Sequence, residues 1–243
     1  MSWIKVVGIG PGSMDDLTPR ALRAIVEAEA VVGYVKYLKF IGSLVEGKTV
    51  VASGMRTEAE RCKKAIELYK KGLKVSVISG GDPGIYGMAG LLLELAVKEG
   101  LRAEIEVVPG ITALNFASSL LGAPVVQDFA AISLSDHLTP WQVIEKRLDV
   151  AAQADFVIAL YNPASSERPE NFRKACDVLI KHKKADTPVG IVKNAFREGQ
   201  WVKLTTLLKA PDYPVDMNTI VIVGSSSTKV MGNWMITSRG YDI

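Results

Sequence analysis

Three short apolar runs in the first half of this chain each stop at a turn rich in glycine and proline. They are Ile4 to Ile9 before Gly10-Pro11-Gly12, Val75 to Ser79 before Gly80-Gly81-Asp82-Pro83-Gly84, and Ile105 to Val108 before Pro109-Gly110. Short, mostly apolar runs of this length read as buried strands. Helical patterns separate them. Thr18 is placed to cap a helix whose first turn holds Pro19, with Leu22, Ile25 and Val26 on one face. Ala30 to Val32 reads as a further strand, and Thr57 and Glu60 have capping-box spacing before a helix ending at Gly72. Leu91, Leu92, Leu95 and Ala96 mark a helix that runs to Gly100, and another starts near Thr112. Strand and helix in alternation predict an α/β layer with a mostly parallel sheet.

The second half differs. Gly122-Ala123-Pro124 is a plausible break. Ala131 to Leu134 and Phe156 to Tyr161 read as strands, and helices are predicted from Thr139-Pro140 to Ala154 and from Pro169 to His182. Three strand-like runs then follow with little helix between them: Val189 to Lys193, Trp201 to Thr205 and Ile220 to Val223. Short connections of this kind favour antiparallel pairing. The expectation is two α/β domains, residues 1–114 with a mostly parallel sheet and residues 115–243 with a mixed one. No internal repeat or low-complexity segment is evident.

Composition narrows the classes. Of 243 residues, 48% are hydrophobic and 23% charged, enough for a sizeable core. The formal net charge is only +3, and the basic residues are scattered rather than massed as a nucleic-acid footprint. Two distant cysteines, Cys62 and Cys176, suggest a reducing compartment. With His137 and His182 as the two histidines, no cluster has metal-ligand spacing. No signal peptide pattern and no run near ~18 apolar residues is seen, so the expected location is cytoplasmic, away from membranes.

In an open α/β sheet, ligands bind beyond the carboxyl ends of the strands, and glycine there lets main-chain groups approach them. A dinucleotide site can be tested directly. Its fingerprint is G-x-G-x-x-G with an acidic residue ~20 positions on. Gly8-Ile9-Gly10-Pro11-Gly12-Ser13 puts Ser13 at the third glycine, and Pro11 removes a donor that a pyrophosphate needs. No carboxylate follows Val32-Gly33. A phosphate-binding G-x-x-x-x-G-K-[ST] loop is absent too. Asp82 admits two readings: an Asp turn ahead of a helix, or a carboxylate facing a ligand hydroxyl or cation. Composition does not separate them.

Taken together, Val7-Gly8-Ile9-Gly10-Pro11-Gly12, Gly81-Asp82-Pro83 with Tyr86-Gly87, Val108-Pro109-Gly110-Ile111-Thr112-Ala113 and Leu121-Gly122-Ala123-Pro124 resemble the tetrapyrrole (corrin/porphyrin) methylase family nearly end to end. Two further stretches, Ser133 to Trp141 and Ala159 to Pro169, resemble the branch of that family that methylates ring carbon C17 of precorrin-3B or cobalt-factor III.

The resemblance implies S-adenosylmethionine as methyl donor, a tetrapyrrole as acceptor, a role in cobalamin biosynthesis, and a homodimer. It places the donor in a cleft between two α/β domains, held by Gly80, Asp82, Ile85, Thr112 and Ala113, by Tyr161 and Asn194, and more weakly by Ser225 and Ser226. Gly10 and Pro11 would shape the floor of the tetrapyrrole trough. Precorrins are rich in carboxylates, so Arg168 and Lys193, with Arg197 and Arg56, are candidates for a basic rim. The branch also contracts the macrocycle, a step that calls for an acid or base. Asp136 and His137 are the candidates, set against a reading of Asp136 as a turn former and His137 as surface. Trp141 could flank the substrate. Two other classes stay open: a methylase of a macromolecule such as ribosomal RNA or elongation factor 2, and a non-enzymatic protein that binds the donor.

Overall fold

The computed structural model describes residues 1–101 and 104–242. They form two compact units, Met1–Ala113 and Leu114–Ile243.

The first unit is built on a parallel sheet of β1 (Ile4–Gly8), β2 (Ala30–Tyr34), β3 (Thr49–Ser53), β4 (Val75–Ser79) and β5 (Ile105–Val108), in the order β3-β2-β4-β1-β5. β1, β2 and β4 are buried almost throughout. Strands covered on both faces need continuous apolar runs, which is why these segments do not alternate. Ile4, Val6, Val75 and Val77 face helices α3 (Glu58–Lys70) and α4 (Ala89–Lys98). Val7, Ile9 and Ile78 face α1 (Pro19–Glu27) and the short α2 (Val35–Phe40).

Sequence signals account for three helix ends. Thr18 Oγ1 accepts from Ala21 N at 3.1 Å, with Pro19 following it. Gly72 (φ 88°) and Gly100 (φ 61°) stop α3 and α4. In each case the residue beyond donates back across the turn, Leu73 to Leu68 O and Leu101 to Ala96 O, which is a Schellman end. Two expectations need correcting. Leu22 and Val26 are exposed, and α1 buries Ala21, Ala24 and Ile25, a narrower stripe shifted round the helix. Thr57 does not cap α3 with its side chain; its hydroxyl donates to Gly54 O instead.

In the second unit α5 (Ala113–Leu121) leads to a mixed sheet in the order β10-β9-β11-β8-β7. Its strands are β7 (Phe129–Ser133), β8 (Val157–Tyr161), β9 (Pro188–Lys193), β10 (Trp201–Thr206) and β11 (Thr219–Val223). β7 and β8 pair in parallel, while β11 runs antiparallel to both β8 and β9. β8 and β9 therefore point the same way. α6 (Trp141–Gln153) and α7 (Asn171–Leu179) cover one face through a core that includes Ile144, Leu148, Phe172 and Val221. On the other face Leu121 of α5 packs directly on Gly190, where an added Cβ would meet its side chain at 2.4 Å. A small sheet joins β6 (Gly122–Ala123) to a hairpin of β12 (Thr228–Met231) and β13 (Trp234–Thr237), which the strand signals of the sequence leave out.

Candidate active site

The turns that follow β1, β4 and β5 all leave the carboxyl edge of the parallel sheet, and the main chain fuses them. Gly10 N donates to Gly81 O at 3.1 Å, and Gly81 N donates to Gly10 O at 2.8 Å. Gly8 and Gly110 lie so close that a Cβ on Gly8 would meet Gly110 N and Gly81 O at 2.6 Å. A Cβ on Gly110 would meet Gly81 O at 2.2 Å. Three separate turns thus become one backbone surface. Over Gly81 an added Cβ meets nothing nearer than 3.7 Å, and the atoms it approaches belong to Ile111, Thr112 and Ala113. A side-chain carbon there would make only ordinary contact with main chain.

Asp82 braces this surface. One oxygen, Oδ1, accepts from Gly84 N at 2.8 Å. The other, Oδ2, accepts from Gly110 N at 3.1 Å. The first bond is an Asp turn; the second ties the β4 turn to the β5 turn. Each carboxylate oxygen keeps a further acceptor site, so bracing and ligand contact are compatible. Past it, Ile85 is 41% exposed and Tyr86 takes φ 53°.

Gly80 is a glycine for a reason the sequence hides. A Cβ there would meet the Tyr37 ring at 2.6 Å, and one on Gly12 would meet the Phe40 ring at 2.5 Å. Tyr37 and Phe40 stand one helical turn apart on α2, so this short helix lies across two of the turns. Tyr37 also meets Tyr34 edge-on, with centroids 5.2 Å apart. Buried Arg61 closes the back of the group, bonding Ser53 Oγ at 2.8 Å and Gly54 O at 2.7 Å. The spacing Tyr34, Tyr37, Phe40 after a strand was the available signal. Gly10 is buried and Pro11 half-buried, as parts of the surface. Arg56, in the β3–α3 loop, is exposed with φ 65°.

In the second unit the carboxyl ends of β7, β8 and β9 share one edge. Ser133 pairs with Tyr161, so the Ser133 to Trp141 and Ala159 to Pro169 stretches leave adjacent strands side by side. Side chains stitch them together. Asn162 Nδ2 donates to Ser133 Oγ at 3.0 Å, and buried Asn171 donates to Leu134 O at 2.9 Å. Asp136 and His137 sit in this loop, both exposed. Trp141 is partly buried against the core, and Lys174 Nζ stands 5.6 Å from its ring centroid. Tyr161 is 9% exposed, and its hydroxyl accepts from Leu114 N at 3.2 Å, in the first turn of α5.

Lys193 and Asn194 end β9 at the same edge. Lys193 Nζ pairs with Asp216 at 2.8 Å. Burial pushes the Asp216 carboxyl up, but bonds from Lys193, Asn218 N and Thr219 more than offset this and hold it below its ordinary value. The Lys193 charge is therefore already partnered, though its side chain is 37% exposed. Asn194 (φ 50°) donates its N–H to Asn218 O. Arg168 lies over the Met217 sulfur, close by in the same set of loops, and Arg197 N donates to Asn194 O.

Ser225 and Ser226 are not part of this group. They follow β11, which is antiparallel to β8, so they lie at the opposite edge of the sheet from Tyr161 and Asn194. Their hydroxyls serve local ends. Ser226 donates twice to Asp155, from N and Oγ, and Ser225 bonds Ser227 and Thr228. Asp155 in turn holds Lys183 Nζ at 3.2 Å, in a side chain only 2% exposed. Burial favours a higher Asp155 value, yet the Ser226 and Lys183 bonds leave it below the ordinary one. Sequence position alone put these serines after a strand, without showing which way the strand ran.

Among the described residues no group of His, Cys, Asp and Glu could hold a metal ion, and no helix is long and apolar enough to cross a membrane.

The sequence profile of the Tetrapyrrole (Corrin/Porphyrin) Methylases matches residues 4–211. The chain is 50% identical over 240 residues to a protein of Salmonella typhimurium named probable cobalt-factor III C(17)-methyltransferase, covering 99% of this chain and 100% of that one. It is 40% identical to the precorrin-3B C(17)-methyltransferase of a Sinorhizobium species, covering 93% of this chain and 90% of that one. With the cobalt-factor III methyltransferase of Priestia megaterium the identity is 46%, over 97% of this chain but only 44% of that longer protein. The chain likewise spans about half, 52%, of the protein CbiHC of Archaeoglobus fulgidus. The crystal structure of the methyltransferase CobJ superposes with a TM-score of 0.93 at 37% identity, covering 98% of this chain and 100% of that one. On this evidence the chain belongs to the tetrapyrrole (corrin/porphyrin) methylase family.

Proposed function

We propose that this chain moves a methyl group from S-adenosylmethionine to C17 of cobalt-factor III or precorrin-3B, with contraction of the ring, in cobalamin biosynthesis. The observation that carries this reading is the pairing at the β7–β8 edge. The two stretches that resemble the C17 branch lie side by side there, in a chain whose full-length relative of 50% identity is named for that reaction.

The fit to the donor rests on the fused turns. The surface around Gly81 is main chain, braced by a carboxylate. That suits a donor with amine, hydroxyl and sulfonium groups and no phosphate to cradle. Gly80, Asp82, Ile85, Thr112 and Ala113 are the proposed contacts in the first unit, with Tyr161 and Asn194 in the second; Ser225 and Ser226 leave the set. The leaving group is a neutral thioether, so its departure needs no acid. Alignment of the methyl carbon with the ring carbon supplies much of the rate. Contraction needs a proton moved, and Asp136 and His137 are the groups free to do it from an exposed loop. Arg168 and Lys193 are proposed to meet substrate carboxylates, Lys193 by trading Asp216 for the ligand. The family resemblance adds a homodimer in the cytoplasm, which sedimentation and cell fractionation test.

Incubation with labelled S-adenosylmethionine and each precursor in turn decides the matter. Label is expected on cobalt-factor III or precorrin-3B, with an absorbance change on contraction. Label on ribosomal RNA or elongation factor 2 alone would overturn the reading, and so would tight donor binding with no acceptor at all.

A further inference from the structure

We propose that Phe196 presents an aromatic face for stacking against a flat conjugated ring of one of the two reactants, the adenine of the donor or the tetrapyrrole. The proposal rests on the functional reading above and adds a contact to it.

In the second unit four residues other than glycine take positive φ among those described: Asp155, Asn162, Asn194 and Phe196. Asp and Asn tolerate this backbone because their short polar side chains bond locally. A phenylalanine does not, and a bulky residue there is a steric outlier. Phe196 has φ 55°, yet its side chain is not tucked away as compensation; it is 44% exposed. One side of the ring meets buried Phe116, with centroids 5.2 Å apart and planes inclined at 58°.

The surrounding loop enforces this placement. Phe196 N donates to Gln200 Oε1 at 2.8 Å. Gln200 N donates to Arg197 O, Arg197 N to Asn194 O, and Asn194 N to Asn218 O, so the loop is held at four points after β9. A strained residue persists only where its surroundings over-determine it, and such residues gather at ligand clamps. The ring is thus rigid, apolar, half-supported from behind by Phe116, and two residues past Asn194 at the edge that carries Tyr161 and Asp136. A rigid aromatic face offers stacking with little ordering left to do on binding. Both reactants bring a conjugated plane. Lys193, at the end of β9, pairs with Asp216, and the stacking contact proposed for Phe196 adds to the polar contacts proposed for Lys193 and Asn194.

The test uses the whole chain with two probes, S-adenosylhomocysteine and uroporphyrin III, each titrated to equilibrium. F196L keeps apolar bulk but loses the flat face; F196W restores it. Stacking of a base on an aromatic side chain implies a loss of about tenfold in affinity on its removal. F196L is expected to raise the dissociation constant of one probe about tenfold, with F196W within threefold of the parent. Whichever probe responds names the ring. If F196L and F196W both stay within twofold for both probes, or both weaken binding alike with a lowered melting temperature, the proposal fails. Should F196L not fold, hydrogen exchange of residues 195–197 in the unaltered chain decides: slowing by one probe supports the contact, and no slowing by either overturns it. Absence of methyl transfer by the unaltered chain would count against the proposed function, while these binding arms still report on Phe196.

Discussion

Gly110 has no room for one more carbon. A methyl group there would sit 2.2 Å from Gly81 O and 2.7 Å from Gly8 C, all main chain and unable to step aside. Gly110→Ala is expected to destabilise the chain by about 3 kcal/mol, the upper end of overpacking costs, or to prevent folding. Gly47→Ala is the control: Gly47 has φ 74° with nothing within 4 Å, so only the backbone preference is lost, roughly 1 kcal/mol. Urea midpoints of the two variants check the contrast; equal midpoints would refute the packing argument. Asp82→Ala removes an acceptor from two backbone donors and is expected to lower stability by about 2 kcal/mol. Weaker binding of S-adenosylhomocysteine, read by calorimetry, tests its ligand role separately; unchanged affinity with lowered stability would leave Asp82 as a brace alone. These residues were visible in the sequence as glycines and an aspartate in turns. Their reasons were not, because the atoms that exclude a side chain at Gly80 come from Tyr37, on another element.

At the scale of elements, the latch between the β11–β12 turn and the end of α6 makes a pH prediction. Asp155 titrates below its ordinary value of 3.8 in the fold. A depressed carboxylate stabilises above its unfolded value, and that contribution disappears as pH falls through the folded one. Asp216 behaves in the same sense. Stability is therefore expected to drop below about pH 4, and less steeply in Asp155→Asn. Urea titrations at successive pH values measure both slopes, and parallel slopes would remove Asp155 from the account. Asp155→Ala at neutral pH leaves the Lys183 ammonium buried without its carboxylate, at a cost of about 2–3 kcal/mol, less than for a fully buried pair because Asp155 is half exposed. Most elements could be read from the chain, since buried strands and glycine stops write themselves locally. β3 was passed over although Val50-Val51-Ala52 is as long an apolar run as Ala30 to Val32; it is the edge strand and largely exposed, and no glycine turn marks its end. The α1 stripe was misplaced because two small alanines, not the larger Leu22 and Val26, fit against the sheet. Direction was illegible too, and with it the side of the sheet on which Ser225 and Ser226 emerge.

As a whole molecule the chain carries no reactive thiol. Cys62 and Cys176 are buried, and desolvation raises them to about 11 and about 12. A native sample is expected to resist a disulfide reagent at pH 8 and to yield two thiols once unfolded; rapid labelling of either before unfolding would contradict the burial. The α/β class followed from alternation, but the order β3-β2-β4-β1-β5 depends on pairings between distant segments that no local pattern records. The fused turns at its carboxyl edge have a consequence for how such chains diversify. Much of their chemistry is peptide, the same for every amino acid, and Gly8 and Gly110 admit no larger residue. Mutation at Gly8 or Gly110 breaks that surface and does not retune it. A lineage that keeps it inherits a fixed backbone surface, and novelty has to be written in the side chains of other loops.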